Sequence, residues 1–149
     1  MDIFAIRQAL ADAARAVVLP AGVAKLTSTA HVPDAVSAPH FFVAEYEIEF
    51  DKAMRRALDQ IQFTARILVG RADELSAQRL LDSMLSGSGP TSLKTAIEVA
   101  RGAPGEYALG GLAHDLHVLR VQGNRLYEHA GTQYIGAEIV IKVIGEGSP

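Results

Sequence analysis

The chain has 149 residues and a mass of 15.9 kDa, room for one domain and its core but not comfortably for two. Hydrophobic residues make up 49 % and charged residues 21 %, so a packed core is expected rather than a disordered chain. The absence of cysteine excludes a disulfide framework, a thiolate zinc site and a cysteine nucleophile, and a formal charge of −3 is unlike a free-standing basic nucleic-acid binder.

Asp2 reads as the N-cap of a first amphipathic helix, with Ile3, Ile6, Leu10, Ala13, Ala14 and Val17 at three- and four-residue steps. Leu19-Pro20-Ala21-Gly22 stops it. The acids Asp2 and Asp12 beside Arg7 and Arg15 do not make the basic-then-apolar layout of a signal peptide. No apolar run approaches the roughly 18–20 residues of a membrane span, and no membrane partner is expected.

Val23 to Thr29 is expected to be a first strand, and the Pro-containing stretch Ala30 to His40 a loop. His40 to Phe50 alternates with period two, which predicts a strand. Strict alternation puts Phe42, Ala44, Tyr46, Ile48 and Phe50 on the buried face. It puts Phe41 and Val43 with Glu45, Glu47 and Glu49 on the other. Asp51 to Asp59 is a charged connection, and Gln60 to Gly70 a strand with Ile61, Phe63, Ala65, Ile67 and Val69 on one face.

Arg71-Ala72-Asp73-Glu74 is expected to begin a second helix, with acids where the dipole favours them and a stripe of Ala77, Leu81, Met84 and Leu85 with Leu80 beside it. Ser86-Gly87-Ser88-Gly89 ends it. Pro90 suits the first turn of a short third helix carrying Leu93, Ala96, Ile97 and Ala100. After a Gly/Pro connection, a strand from Leu112 to Val121 is expected, then a tight turn at Gly123-Asn124 and a locally paired Leu126 to Ala130. Gln133 to Ile144 alternates again, with Ile135, Ala137, Ile139, Ile141 and Val143 opposite Tyr134, Glu138 and Lys142. The predicted fold is α+β, in the order α-β-β-β-α-α-β-β-β. It is a mostly antiparallel sheet with helices on one face, a single domain over 1–144, an extended loop at 51–59 and a flexible tail at 145–149.

Three groups of residues could carry chemistry. On a strand, Asp115 and His117 share a face and His114 points away, which is too few ligands for a metal site without a remote residue such as His31, His40 or His129. Ser86 to Pro90 lacks the Gly-Lys-Ser/Thr ending of a phosphate loop and the glycine spacing of a nucleophile elbow, so it reads as helix punctuation. Glu45, Glu47 and Glu49 stack like charge on one strand face. Glu45 to Asp51 holds four acids and no base, whereas Lys52 to Arg71 holds five bases against Asp59. Such a sign change suits complementary contacts between copies in a ring. Within it, Asp51, Lys52, Arg55 and Arg56 are candidates for a loop that contacts a partner.

Several phrases together carry a resemblance: the first helix Asp2 to Leu10, the strand Phe41 to Phe50, Ile61 to Val69, the helix Arg71 to Asp82, Thr91 to Ile97, and the closing strand Gln133 to Val143. This layout resembles the neck proteins of long-tailed bacteriophages, above all the tail-terminator group of siphophages that infect actinobacteria. The composition, with 24 alanines and ten arginines against four lysines, suits a GC-rich genome.

The resemblance implies a non-enzymatic virion protein without cofactors, made in the host cytoplasm and resident in the neck. It implies a hexameric ring that caps the tail tube, ends its elongation and offers a surface to the head-completion or stopper protein. DNA would pass through the lumen without sequence readout, and Glu45, Glu47 and Glu49 would face the lumen or a neighbouring subunit. The alternatives are another neck or tail component, such as an adaptor, stopper or tube-like subunit, and a small α+β metal-dependent enzyme or ligand-binding domain using His114, Asp115 and His117.

Overall fold

A computed structural model describes residues 1–50, 58–71 and 75–146. The elements run α1 (Ile3–Ala14), β1 (Thr27–Thr29), β2 (His40–Glu49), β3 (Leu58–Arg71), α2 (Leu75–Leu85), α3 (Leu93–Val99), a 3-10 turn at Leu109–Gly111, β4 (Asp115–His129) and β5 (Thr132–Glu146). The strands form one sheet in the order β1-β2-β3-β5-β4, antiparallel throughout except where β1 pairs parallel with β2. The α+β class and the mostly antiparallel sheet are as the sequence predicts.

The core lies between the helices and one face of this sheet. Ile6 and Leu10 of α1, Leu81 and Met84 of α2 and Leu93 and Ile97 of α3 pack on Phe63, Ile67, Ile139 and Ile141. The Asp2 carboxylate caps α1 by accepting from the Ala5 N–H at 3.0 Å, which satisfies one of the donors that a helix start leaves open. α1 ends at Ala14, a turn earlier than its apolar stripe suggests. Arg15 leaves the helix because its guanidinium donates to the Ser28 hydroxyl at 2.7 Å and the Ser28 carbonyl at 2.9 Å, tying the helix end to β1. β1 itself is three residues long, not the whole of Val23 to Thr29.

α2 starts at Leu75. Arg71, read as its first turn, is the last residue of β3, and residues 72–74 lie outside the described residues. Ser92, not Pro90, opens α3: its hydroxyl accepts from the Thr95 N–H and donates to the Ser86 carbonyl, so the Ser-Gly stretch is a helix-to-helix turn closed by a cap.

Two corrections concern the sheet. Between Val43 and Glu45 the register against β3 shifts by one residue, a β-bulge at Ala44. A bulge reverses which face the following residues meet. Phe41, Val43, Tyr46 and Ile48 therefore share the helix side, while Phe42 lies on the same face as the glutamates. The second correction removes a strand. Gly123-Asn124 is no hairpin turn: it is a bulge inside the continuous β4, where the register shifts between Gln122 and Arg125. The β4–β5 hairpin turns instead at Ala130-Gly131, both at positive φ (50° and 82°), the twist that a two-residue hairpin loop needs. At its far end β5 continues through Gly145 to Glu146, whose carbonyl accepts from the Met1 ammonium at 2.7 Å. Residues 147–149 lie outside the described residues.

Candidate functional site: the open face and lateral strands of the sheet

The strand registers align residues in rows across the face that, among the described residues, no helix covers. One row reads Glu47, Gln62, Lys142, His117 and the next Glu45, Thr64, Val140, Arg120. A third reads Phe42, Arg66, Glu138, Gln122. The face is thus acidic along β2 at Glu45 and Glu47 and basic at Arg120 of β4, while between them β3 carries Arg66 and β5 carries one base, Lys142, and one acid, Glu138. Glu45, Glu47 and Glu49 all lie exposed there, as a polar strand face predicts. The candidate loop residues Asp51, Lys52, Arg55 and Arg56 lie outside the described residues.

Toward its other end the face closes over. Phe42, Leu68 and Tyr127 form a second apolar cluster with Val36, Ala44 and Tyr134. The segment between β1 and β2, expected as a plain loop, is drawn over it. Val36 packs there, and His129 Nε2 donates to the Pro33 carbonyl at 2.6 Å. Beside the cluster, Arg66 pairs with Glu138 at 3.2 Å, and the guanidinium carbons of Arg66 and Arg125 stand 5.1 and 4.6 Å from the centre of the Tyr127 ring. The Tyr127 hydroxyl donates to the Gly123 carbonyl and pins the β4 bulge. Arg120, Arg125 and Tyr127 went unremarked in the sequence because Gly123-Asn124 between them reads as a turn.

His40 sits at the base of this loop, buried, with Nδ1 2.6 Å from the Thr27 hydroxyl and Nε2 3.1 Å from the Thr29 hydroxyl. The Thr29 hydroxyl donates its proton to the His31 carbonyl and the Thr27 hydroxyl to the Ser37 carbonyl, so both threonines tie the ring to the loop. Burial first, then the positive neighbours His129 and Arg15, push its pKa below the ordinary histidine value.

The His114-Asp115-Leu116-His117 group does not converge. Leu116 enters the core, so Asp115 and His117 share the other side of β4, as alternation requires. The Asp115 carboxylate is taken by the Arg101 guanidinium at 2.8 and 3.3 Å. His117 Nδ1 stands 3.7 Å from a Glu98 oxygen, and His114 Nε2 stands 3.4 Å from Glu146 with its ring against Tyr107. The hydrogen bond from Arg101 holds the Asp115 pKa below the usual carboxylate range, opposite to the raised pKa of a general acid. An open cleft of about 710 Å³ adjoins this corner, lined by Arg101 to Tyr107, His114 and Asp115. Among the described residues no group of three or more metal-ligating side chains is close enough to hold an ion.

The chain matches no protein-family model and no curated protein sequence.

Proposed function

We propose that this chain is a structural protein of a long-tailed phage neck, a tail terminator. In this reading copies form a hexameric ring on the end of the tail tube, stop its elongation and join it to the head-completion complex, with DNA passing through the lumen. The chain works by assembly and needs no cofactor. It is made in the host cytoplasm and stays in the virion.

The observation that carries this reading is the one-sidedness of the sheet. Among the described residues all three helices pack on one face, and part of the other is an uncovered polar surface of Glu45, Glu47, Gln62, Thr64 and Lys142. A wall of this composition suits a DNA conduit. Dense basic charge would bind many phosphates and trap the duplex in a salt-dependent way, whereas a mixed or acidic surface lets it slide.

Imaging and mass measurement of the purified chain test the reading, together with phage particles lacking it. Annular particles of defined copy number are expected, and particles without the chain should carry tails of irregular length that do not join filled heads. Long cylinders from the purified chain would make it a tube subunit instead. Particles with normal tails joined to filled heads would refute the proposal.

A further inference from the structure

β2, flanked by β1 over only three residues, and the edge strand β4 are each sealed at one end and open at the other. β1 covers β2 only along His40 to Phe42, and the Arg7 guanidinium caps the Val43 carbonyl at 3.1 Å. Beyond that point Glu45, Tyr46, Glu47 and Glu49 are exposed. On β4 the sealing element is α3: a Glu98 oxygen accepts from the Val118 N–H at 3.4 Å, and Arg101 holds Asp115. From Arg120 to Leu126 every residue is exposed.

Each open stretch has two layers. On β2, Glu45 and Glu47 line the open-face side. The helix side carries Tyr46, 41 % exposed under the Arg7 guanidinium, and Phe4 one turn earlier on α1, 64 % exposed. On β4, Arg120 and Arg125 line the open-face side. The helix side carries Val121, 39 % exposed, and Leu126, 51 % exposed. Thus acid on one strand answers base on the other, and apolar side chains answer apolar side chains in the same layer. Strand direction agrees as well. β2 and β5 run one way and β3 and β4 the other, so two copies placed side by side, the same way up, bring β4 of one antiparallel to β2 of the next; since Glu47 lies level with His117 and Arg125 level with His40 within one copy, the open stretches meet when the second copy is displaced along the strands.

We propose that the outer side of β2 docks on the outer side of β4 of a second copy, Glu45 and Glu47 facing Arg120 and Arg125 with Tyr46 and Phe4 against Val121 and Leu126. The contact is head-to-tail, so it leaves one free surface of each kind and repeats around a ring. Opposite charge selects this pairing over β2 on β2 or β4 on β4, where like charges would meet. This inference rests on the ring reading above and specifies the surfaces that make the ring.

Two double variants and their mixture test it. Glu45→Arg/Glu47→Arg makes both sides basic, and Arg120→Glu/Arg125→Glu makes both acidic. Each alone should assemble roughly a hundredfold more weakly than the unmodified chain, by sedimentation velocity. Mixed in equal amounts, they should reassemble with alternating composition and even copy number, read by native mass spectrometry. Undiminished assembly of the separate variants, or a mixture that stays dissociated, overturns the pairing and leaves the ring standing. An unmodified chain that stays monomeric at every concentration is a failure of the ring reading itself, and the pairing falls with it. Circular dichroism checks folding. Should a reversal variant misfold, Glu45→Gln/Glu47→Gln serves in its place: assembly with a shallower salt dependence than the unmodified chain supports the pairing, and an unchanged salt slope overturns it.

Discussion

The two faces of this sheet are built from the same four long strands and meet opposite demands. The helix side is dry and continuous, with Phe63, Ala65, Ile67, Ile139 and Ile141 nearly or wholly inaccessible. The open side alternates a small apolar cluster around Phe42 and Tyr127 with a polar field around Gln62 and Lys142. One face supplies the main core, and the exposed part of the other, around Glu45 and Glu47, is free to vary in charge because little stability depends on it. A strand in the middle of a sheet thus carries a structural and a contact surface back to back, since successive side chains point to opposite sides.

The largest expected effect comes from truncating the dry side. Phe63→Ala should cost about 3–5 kcal/mol, while Gln62→Ala, its neighbour on the open face, should stay within about 0.5 kcal/mol. Chemical denaturation of both variants measures the contrast, and equal losses would erase the distinction between the faces. Gly136→Ala should come next, at about 1–3 kcal/mol. Its added carbon would strike the Ile67 carbonyl and lie 2.9 Å from Leu68 Cδ2 and 3.2 Å from Tyr127 Cδ2, so the open-face cluster must shift. Thermal melting reads the loss, and near-ultraviolet circular dichroism should report the displaced tyrosine.

Glu138→Gln tests whether the open face holds any charge that matters for folding. Glu138 is buried against Arg66, unlike the exposed glutamates of β2, so its neutralisation should cost about 1–2 kcal/mol. Neutralising Glu45 in the isolated subunit should cost almost nothing. The smallest effect is the acid response of His40. Its folded pKa lies below the unfolded value near 6.5, so in that window the unfolded chain binds more protons. The stability contribution is therefore complete above the unfolded value and is lost as pH falls from there towards the folded pKa. Urea unfolding across mildly acidic pH should show this slope, and His40→Gln should flatten it; an unchanged slope would assign the acid response to another group.

Local pattern was enough wherever one strand or helix could be treated alone. The alternations of β3 and β5, the Asp2 cap and the buried stripes of the three helices were legible because each depends on the period of its own backbone. β2 shows where this stops. Its alternation is as regular as that of β5, yet the bulge at Ala44 exchanges the faces of everything beyond it. The same holds for Gly123-Asn124, whose composition suits a turn but whose neighbours pair with β5 on both sides. Of the candidate site, the acidic stripe was readable as a stripe, while its basic counterpart on β4 was not, since no spacing links Glu45 to Arg120 along the chain.

The sequence by itself determined the α+β class, the mostly antiparallel sheet and the identity of most core residues, because hydrophobic periodicity is a property of neighbouring residues. Tertiary structure alone decided which face the glutamates share, where the bulges fall and that β2 and β4 carry opposite charge. Those facts follow from register between strands distant in the chain, and register is set by the whole packed sheet, not by any one segment of it.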